Sequence, residues 1–329
     1  MTDGPVTVKL KHPMISKPLF KQTFKSTWFL WLIMTVGSAL IFMIVNIVIG
    51  SKSIFTNIDM TLVAQYVKDE EMDWLQILGL LDTMGFSLTR IQVMSQIDLN
   101  TVLNDLIYRI AGILLPMIYV MIVSNKLIAA QVTDGSMAYV LSTPTNRKTV
   151  LRTQFFYLVL SLVAMYIVIT LAVLGSEAIA SAIRLANEPN SPHMLPLRSL
   201  LYCFASFASM FALLGICFGA SAFFNKSSNS LALGGGACIF SFICCILGLF
   251  GNKVFVAVGI GVSAMNLFNF VTIFSLIDTE SMSAFAKACA GQGVDFSYDW
   301  IWKIAIMFAI GIVFAIIGAI KFKNKDLPL

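Results

Sequence analysis

The chain has 329 residues, of which 58% are hydrophobic and only 12% are charged, with a formal net charge of +5. This composition excludes a water-soluble domain, because one core of this size could not bury so much apolar surface. In a bilayer, each long uncharged segment must satisfy its own backbone amides, so helices are expected. The runs do not alternate apolar and polar residues as barrel strands do. We therefore predict an all-α integral membrane protein.

Uncharged runs mark the candidate membrane helices. Crossing the hydrocarbon takes about 20 residues. The second and last runs are shorter, so they must borrow flanking residues, Tyr108 and Arg109 in one case and Trp300 to Lys303 in the other. The seven runs are Ser26–Ser51, Ile110–Asn125, Thr153–Ser176, Ser199–Asn225, Ser227–Asn252, Val254–Ile277 and Ile304–Ile320.

The charge distribution favours six crossings over seven. With six, both termini are cytoplasmic, and Lys321, Lys323 and Lys325 lie on the same side as the amino-terminal lysines, as the positive-inside rule expects. We therefore interpret residues 254–277 as a re-entrant apolar hairpin before the last span, with a hairpin that lies on the membrane surface as the alternative. Nearby glycines would let the chain turn there, although close helix packing would also explain them.

Two asparagines lie within this predicted hairpin, Asn266 and Asn269, three residues apart. They could line a substrate pathway together with Ser263. We favour a second interpretation, in which their side chains cap the backbone of the hairpin.

The amino-terminal 26 residues are predicted to form a cytoplasmic, interfacial amphipathic helix. Ser16 and Pro18 are typical of a helix start. A basic stripe and an aromatic stripe follow at helical spacing, which suits contact with anionic membrane lipid. An ordinary basic flank that only sets orientation is the alternative. The stripe residues are Lys17, Phe20, Lys21, Phe24, Lys25 and Trp28.

Residues 27–329 are predicted to be the transmembrane domain, with two long connections. Residues 51–105 form an acidic external segment, whose most apolar part is Trp74–Met94. Asp82 and Arg90 argue against another crossing there, since each mid-membrane charge costs on the order of 3 kcal/mol. Residues 126–150 form a cytoplasmic connection between the second and third spans.

The cytoplasmic connection contains two predicted turns. Gly135 is expected to end one helix, and Ser136 or Asp134 to cap the next. That short helix, residues 137–141, would be stopped by Ser142-Thr143-Pro144. A short apolar-faced helix held between sharp turns is suited to docking against another protein.

Here the chain resembles a known family. Asp134-Gly135-Ser136, followed by Leu141-Ser142-Thr143-Pro144-Thr145-Asn146-Arg147, is similar to the coupling-helix region of type-2 ATP-binding-cassette (ABC) permeases of the exporter type. The resemblance implies that this short helix is seated in a groove of a separate ATPase subunit. The long external segment departs from the polysaccharide-exporting branch. The residues that the resemblance assigns to coupling are Asp134, Gly135, Ser136, Met137, Tyr139, Leu141, Thr143, Pro144 and Arg147.

No nucleotide site is predicted in this chain. Gly50-Ser51-Lys52-Ser53 lacks the earlier glycine of a phosphate-binding loop and follows a membrane span instead of a strand. The resemblance therefore implies ATP and Mg in the partner ATPase, and neither cofactor nor metal here. It also implies a second permease, as a homo- or heterodimer, in a bacterial plasma membrane. We expect membrane lipid as a further partner. We do not expect the chain to bind nucleic acid.

Two other classes of function are weaker. His12 and His193 lie on opposite faces of the predicted topology, so no catalytic residue of a membrane enzyme is visible. A passive channel or scaffold needs polar pore-lining rings, and these spans are mostly aliphatic. Gly215-x-x-x-Gly219 indicates helix packing first and dimerisation second. The scarcity of intramembrane charge favours an amphipathic peptide, a lipid or a hydrophobic drug as the substrate.

Overall fold

The computed structural model describes residues 15–51, 99–142, 146–187, 195–251, 262–291, 293 and 295–324. Within these ranges every regular element is a helix. The α-helices are α1 Lys17–Ser51, α2 Leu99–Leu127, α3 Ala129–Thr133, α4 Ser136–Ser142, α5 Arg147–Asn187, α6 Pro196–Phe223, α7 Ser227–Leu249, α8 Thr279–Cys289 and α9 Asp299–Lys323.

Six of the helices in the described ranges are long and apolar enough to cross a membrane, namely α1, α2, α5, α6, α7 and α9. The prediction of six membrane helices is thus confirmed. Helix α9 begins at Asp299, so the flanking residues that the last span was expected to borrow are helical. Nearly all of the predicted external segment, including Trp74–Met94, lies outside the described residues.

Helices α1 and α5 run parallel and in register. Thr27 and Tyr157 share a hydrogen bond between their hydroxyl groups. One turn further on, Trp31 Nε1 donates to the carbonyl oxygen of Ser161 at 2.9 Å. Both pairs are separated by 130 residues, and a constant separation is possible only if the two helices point the same way.

Helix α6 is at the centre of the bundle. Of its most apolar window, 72% is buried, against 17% for α1 at the periphery. It packs closely on α9 through glycines, where a Cβ on Gly219 would lie 2.7 Å from the carbonyl oxygen of Phe314, and one on Gly318 would lie 2.6 Å from Gly219 Cα. The Gly215-x-x-x-Gly219 pattern therefore serves packing within the chain.

The described part of the predicted hairpin contains two short 3-10 helices, Ser263–Phe270 and Ile273–Leu276. Neither is long enough to cross the hydrocarbon. Asn269 Nδ2 donates to the carbonyl oxygen of Gly248 at 3.2 Å and to Asn266 Oδ1 at 2.8 Å. This geometry ties the segment to the end of α7. That the segment enters the membrane stays a prediction.

Asp278 joins α8 to α9. Its carboxylate caps α8 by accepting a hydrogen bond from the backbone N–H of Ser281 at 3.0 Å, and it pairs with Lys303 of α9. Burial alone would raise the pKa of Asp278, but the bonds from Lys303 and Ser281 outweigh it and hold that pKa below its ordinary value. The pair therefore stabilises the charged carboxylate.

Candidate coupling site

Helices α3 and α4 are separated by a sharp turn at Gly135. Its φ of 71° lies in the left-handed region, where a side chain would be strained. The N–H of Asp134 closes α3 on the carbonyl oxygen of Ala130 at 2.8 Å, and the N–H of Ala138 opens α4 on that of Gly135 at 3.1 Å. The two short helices therefore meet at the predicted glycine. The Ser136 hydroxyl donates back to the Gln131 carbonyl oxygen at 3.3 Å.

The two faces of α4 have different surroundings. Met137 is only 3% exposed and belongs to the hydrophobic core, whereas Tyr139 is 80% exposed. Both residues are among those that the resemblance assigns to coupling, but the burial of Met137 makes it an anchor of α4 on the bundle. The Leu141 side chain, and Thr143 and Pro144 entirely, lie outside the described residues.

A cleft of about 610 Å³ lies beside Tyr139, between the start of α1 and the α3–α4 segment. Its size is within the range of ordinary binding pockets. Its wall mixes apolar and polar groups, so it suits a protein side chain or one turn of a helix. Residues that line it include Pro18, Gln22, Lys126, Gln131, Asp134 and Tyr139.

The start of α1 also borders this cleft. Phe24 and Trp28 are exposed, at 54% and 47%, as are the lysines of the basic stripe, Lys17, Lys21 and Lys25. Phe20 instead packs on α5, with its ring centroid 5.4 Å from that of Tyr157. Helix α1 continues without a break past residue 26. The described part of the predicted amphipathic helix is therefore continuous with the first span, and that it lies in the membrane interface stays a prediction.

Hydrogen bonds connect the α3–α4 segment and the end of α2 to the membrane helices α1 and α5. Gln154 Nε2 donates to the carbonyl oxygen of Leu127 at 2.6 Å and to Gln131 Oε1 at 3.2 Å, which fixes α3 to α5. Lys126 Nζ donates to the carbonyl oxygen of Ser26 at 2.8 Å. Sequence reasoning missed these residues. Gln154, a polar residue near the start of an apolar run, was the available signal.

The electrostatic surroundings are basic. Arg147 is the first residue of α5, and Lys148 and Arg152 in its first two turns are exposed. Asp134 is the sole acid in the described part of residues 126–152, and it is exposed as well. Within the described ranges, no group of three or more His, Cys, Asp or Glu could hold a metal ion. The described residues at the start of α5 are therefore mostly exposed and basic.

Comparison with known proteins identifies the family. A sequence model of the family described as ABC-2 family transporter protein matches residues 20–327, almost the whole chain. Curated proteins and solved structures give no match to this chain. The match confirms the family that the resemblance indicated, and membrane subunits of this family work with a separate ABC ATPase subunit. The chain is therefore a multi-pass permease subunit that belongs to the ABC-2 family of transporters.

Proposed function

We propose that this permease exports an amphipathic or hydrophobic substrate, driven by ATP that a separate subunit binds with Mg and hydrolyses. The observation that carries the proposal is Tyr139, 80% exposed on a short helix that a glycine turn holds beside an open cleft. An exposed ring next to a cleft is the usual form of an anchor residue at a protein interface.

In this proposal, force from the ATPase passes through the α3–α4 segment as a rigid joint. Gly135 and Pro144 set its shape, while Asp134, Ser136 and Thr143 belong to its turns. Met137 fastens α4 to the core, and Tyr139 with Leu141 meets the partner. Arg147, at the start of α5, anchors the joint at the headgroups.

We infer the orientation from charge. Both termini and the α3–α4 segment face the cytoplasm, and Lys17, Lys21 and Lys25 face anionic lipid of the inner leaflet. Residues 51–105 are then external. A second permease, identical or homologous, completes the transporter in a bacterial plasma membrane.

An apolar groove supports the proposed substrate class. It has a volume of about 480 Å³, lies between α5 and α6, and is lined by aliphatic and aromatic residues such as Leu171, Leu174, Phe204 and Phe207. A mostly apolar wall of this kind suits a hydrocarbon or aromatic body better than an ion. Export as the direction rests on the resemblance of the α3–α4 segment to exporters.

Two substitutions test the coupling role. Gly135→Val strains the positive φ of the turn, and Tyr139→Asp places a charge where an apolar contact is proposed. Tyr298→Asp is the matched control, because Tyr298 is a similarly exposed tyrosine, at 59%, on the proposed external face.

All three variants should insert and purify like the parent chain. The first two should lose co-purification with the ATPase by about tenfold or more, corresponding to roughly 1.4 kcal/mol, or should keep the ATPase but not transport. Tyr298→Asp should retain both co-purification with the ATPase and transport. Normal transport by Gly135→Val and Tyr139→Asp with the ATPase bound would refute this coupling site.

A further inference from the structure

We propose that Thr133, in the α3–α4 segment, is a positioning residue. Its side chain caps α7 and so transmits a displacement of α3–α4 to α7. The inference rests on the proposed function of that segment, but the bonds that carry it lie elsewhere, at the short connection between α6 and α7. Thr133 is the last residue of α3, directly before the turn at Gly135.

The amino terminus of α7 lacks a cap of its own. The first backbone N–H groups of any helix have no partner within that helix. Lys226 occupies the N-cap position of α7 and makes no side-chain capping bond. A helix start of this kind needs an acceptor from elsewhere, normally the oxygen of a Ser, Thr, Asp or Asn side chain.

Thr133 supplies that acceptor from another part of the chain. The backbone N–H of Ser227 donates to Thr133 Oγ1 at 2.9 Å. The same hydroxyl lies 3.1 Å from the carbonyl oxygen of Asn225 and 2.8 Å from that of Ala129, both of which can accept its proton. One hydroxyl therefore joins the end of α3 to the α6–α7 connection and to the start of α7.

A second bond reinforces this joint. Asn125 Nδ2 of α2 donates to the Ser227 side-chain oxygen at 2.8 Å. Ser227 is thus held through its backbone by α3 and through its side chain by α2. The first turn of α7 cannot keep both bonds if α3 moves alone, because hydrogen bonds weaken steeply once the donor and acceptor separate.

The far end of α7 gives the linkage a consequence. Helix α7 has 23 residues and ends near Gly248, whose carbonyl oxygen accepts from Asn269. At 1.5 Å per residue the helix spans roughly 35 Å. A shift imposed at Ser227 therefore reaches the 3-10 segment at the other end, because a helix transmits axial displacement along its length.

The cap itself is tested on the permease alone. Thr133→Val keeps the shape of the side chain and removes the hydroxyl, whereas Thr133→Ser keeps the hydroxyl. Thr170→Val is the matched control, because the Thr170 hydroxyl donates within its own helix, to the backbone carbonyl oxygen of Tyr166 at 2.7 Å. Amide hydrogen exchange at Ser227 should rise about fivefold in Thr133→Val. It should stay at the parent rate in Thr133→Ser and Thr170→Val, and an unchanged rate in Thr133→Val would refute the cap.

Transmission is tested in the complex with the ATPase, with spin labels in a Cys289→Ser background. One pair, Ser142→Cys with Lys323→Cys, reports on α4 relative to the end of α9. The other, Asn229→Cys with Lys323→Cys, reports on α7. These label sites are exposed.

On trapping with ATP and vanadate, both distances should shift together in the parent chain. In Thr133→Val the α4 distance should still shift while the α7 shift falls by at least half, and Thr133→Ser should restore it. An α7 shift that is absent in the parent, or unaffected by Thr133→Val, would refute the transmission alone. An immobile α4 would also refute the proposed coupling role.

Discussion

Asn46 Nδ2 donates to Ser176 Oγ at 3.0 Å, and this pair has the same separation of 130 residues as the Thr27 and Trp31 contacts nearer the start of α1. The register of α1 on α5 therefore holds along most of both helices. Because α5 directly follows the α3–α4 segment, we expect α1 and α5 to move as one body.

The strength of the contact between Asn46 and Ser176 can be measured with a double-mutant cycle. Asn46→Leu and Ser176→Ala should each lower the unfolding free energy in detergent or bicelles. Their interaction energy should be about 0.6 kcal/mol, with about 1.7 as an upper bound for such bonds between membrane helices. Ser181→Ala should show no interaction with Asn46→Leu, because the Ser181 hydroxyl donates within its own helix. Purely additive effects of the first pair would contradict the proposed register contact.

Packing of α6 on α9 should tolerate no extra methyl group. A Cβ on Gly215 would overlap the backbone of Gly311, whereas one on Gly236 would meet nothing within 4 Å. Gly215→Ala should lower the unfolding free energy by about 1–3 kcal/mol through overpacking. Gly236→Ala should be neutral or stabilising by up to about 1 kcal/mol, because alanine favours helix. Equal melting temperatures of the two variants would show that the helices are not this close.

The Asp278–Lys303 pair should make stability depend on pH. Because the folded pKa of Asp278 is lowered, its contribution is present above the unfolded value of about 3.9 and is lost as pH falls through the folded value. Asp278→Asn should cost about 1–3 kcal/mol near pH 7. The difference from the parent should shrink below about pH 4. Asp295→Asn, which removes the charge of an exposed acid, is the matched control and should leave the melting temperature near pH 7 unchanged.

The two asparagines of the 3-10 segment should differ in their effect on stability. Asn269 makes both hydrogen bonds and is half-buried, while Asn266 is exposed and only accepts from Asn269. Asn269→Ala should lower the unfolding free energy by about 1–3 kcal/mol, and Asn266→Ala by less. Unchanged melting of both variants, with an altered substrate preference, would instead assign the pair to a substrate pathway.

The proposed topology can be read from a native thiol. Cys289 is exposed, whereas the other five cysteines are buried, and in the topology that we propose from the charge asymmetry residue 289 lies outside the cell. An impermeant maleimide should label intact cells at Cys289. In a Cys289→Ser background, Ser142→Cys and Lys323→Cys should be labelled only after permeabilisation. Labelling of position 323 in intact cells would refute a cytoplasmic carboxyl terminus.

The sequence by itself determined the membrane class, the six long helices and the break at Gly135. These features are local, because a charge or a glycine has its energetic effect within a few residues of its own position. The family motif Asp134–Arg147 is equally local. The match of the family model to residues 20–327 confirms the family that this motif indicated.

Only the tertiary structure decided which faces meet. Met137 and Tyr139 look alike as apolar residues of one short helix, yet one is buried and the other is 80% exposed. Gly215 meets Gly311, and Thr133 meets Ser227. The two residues of each of these last two pairs are more than 90 positions apart in the sequence. The periodicity of a sequence predicts that a helix has a buried face. Which residues contact that face depends on how all the helices of the bundle pack together.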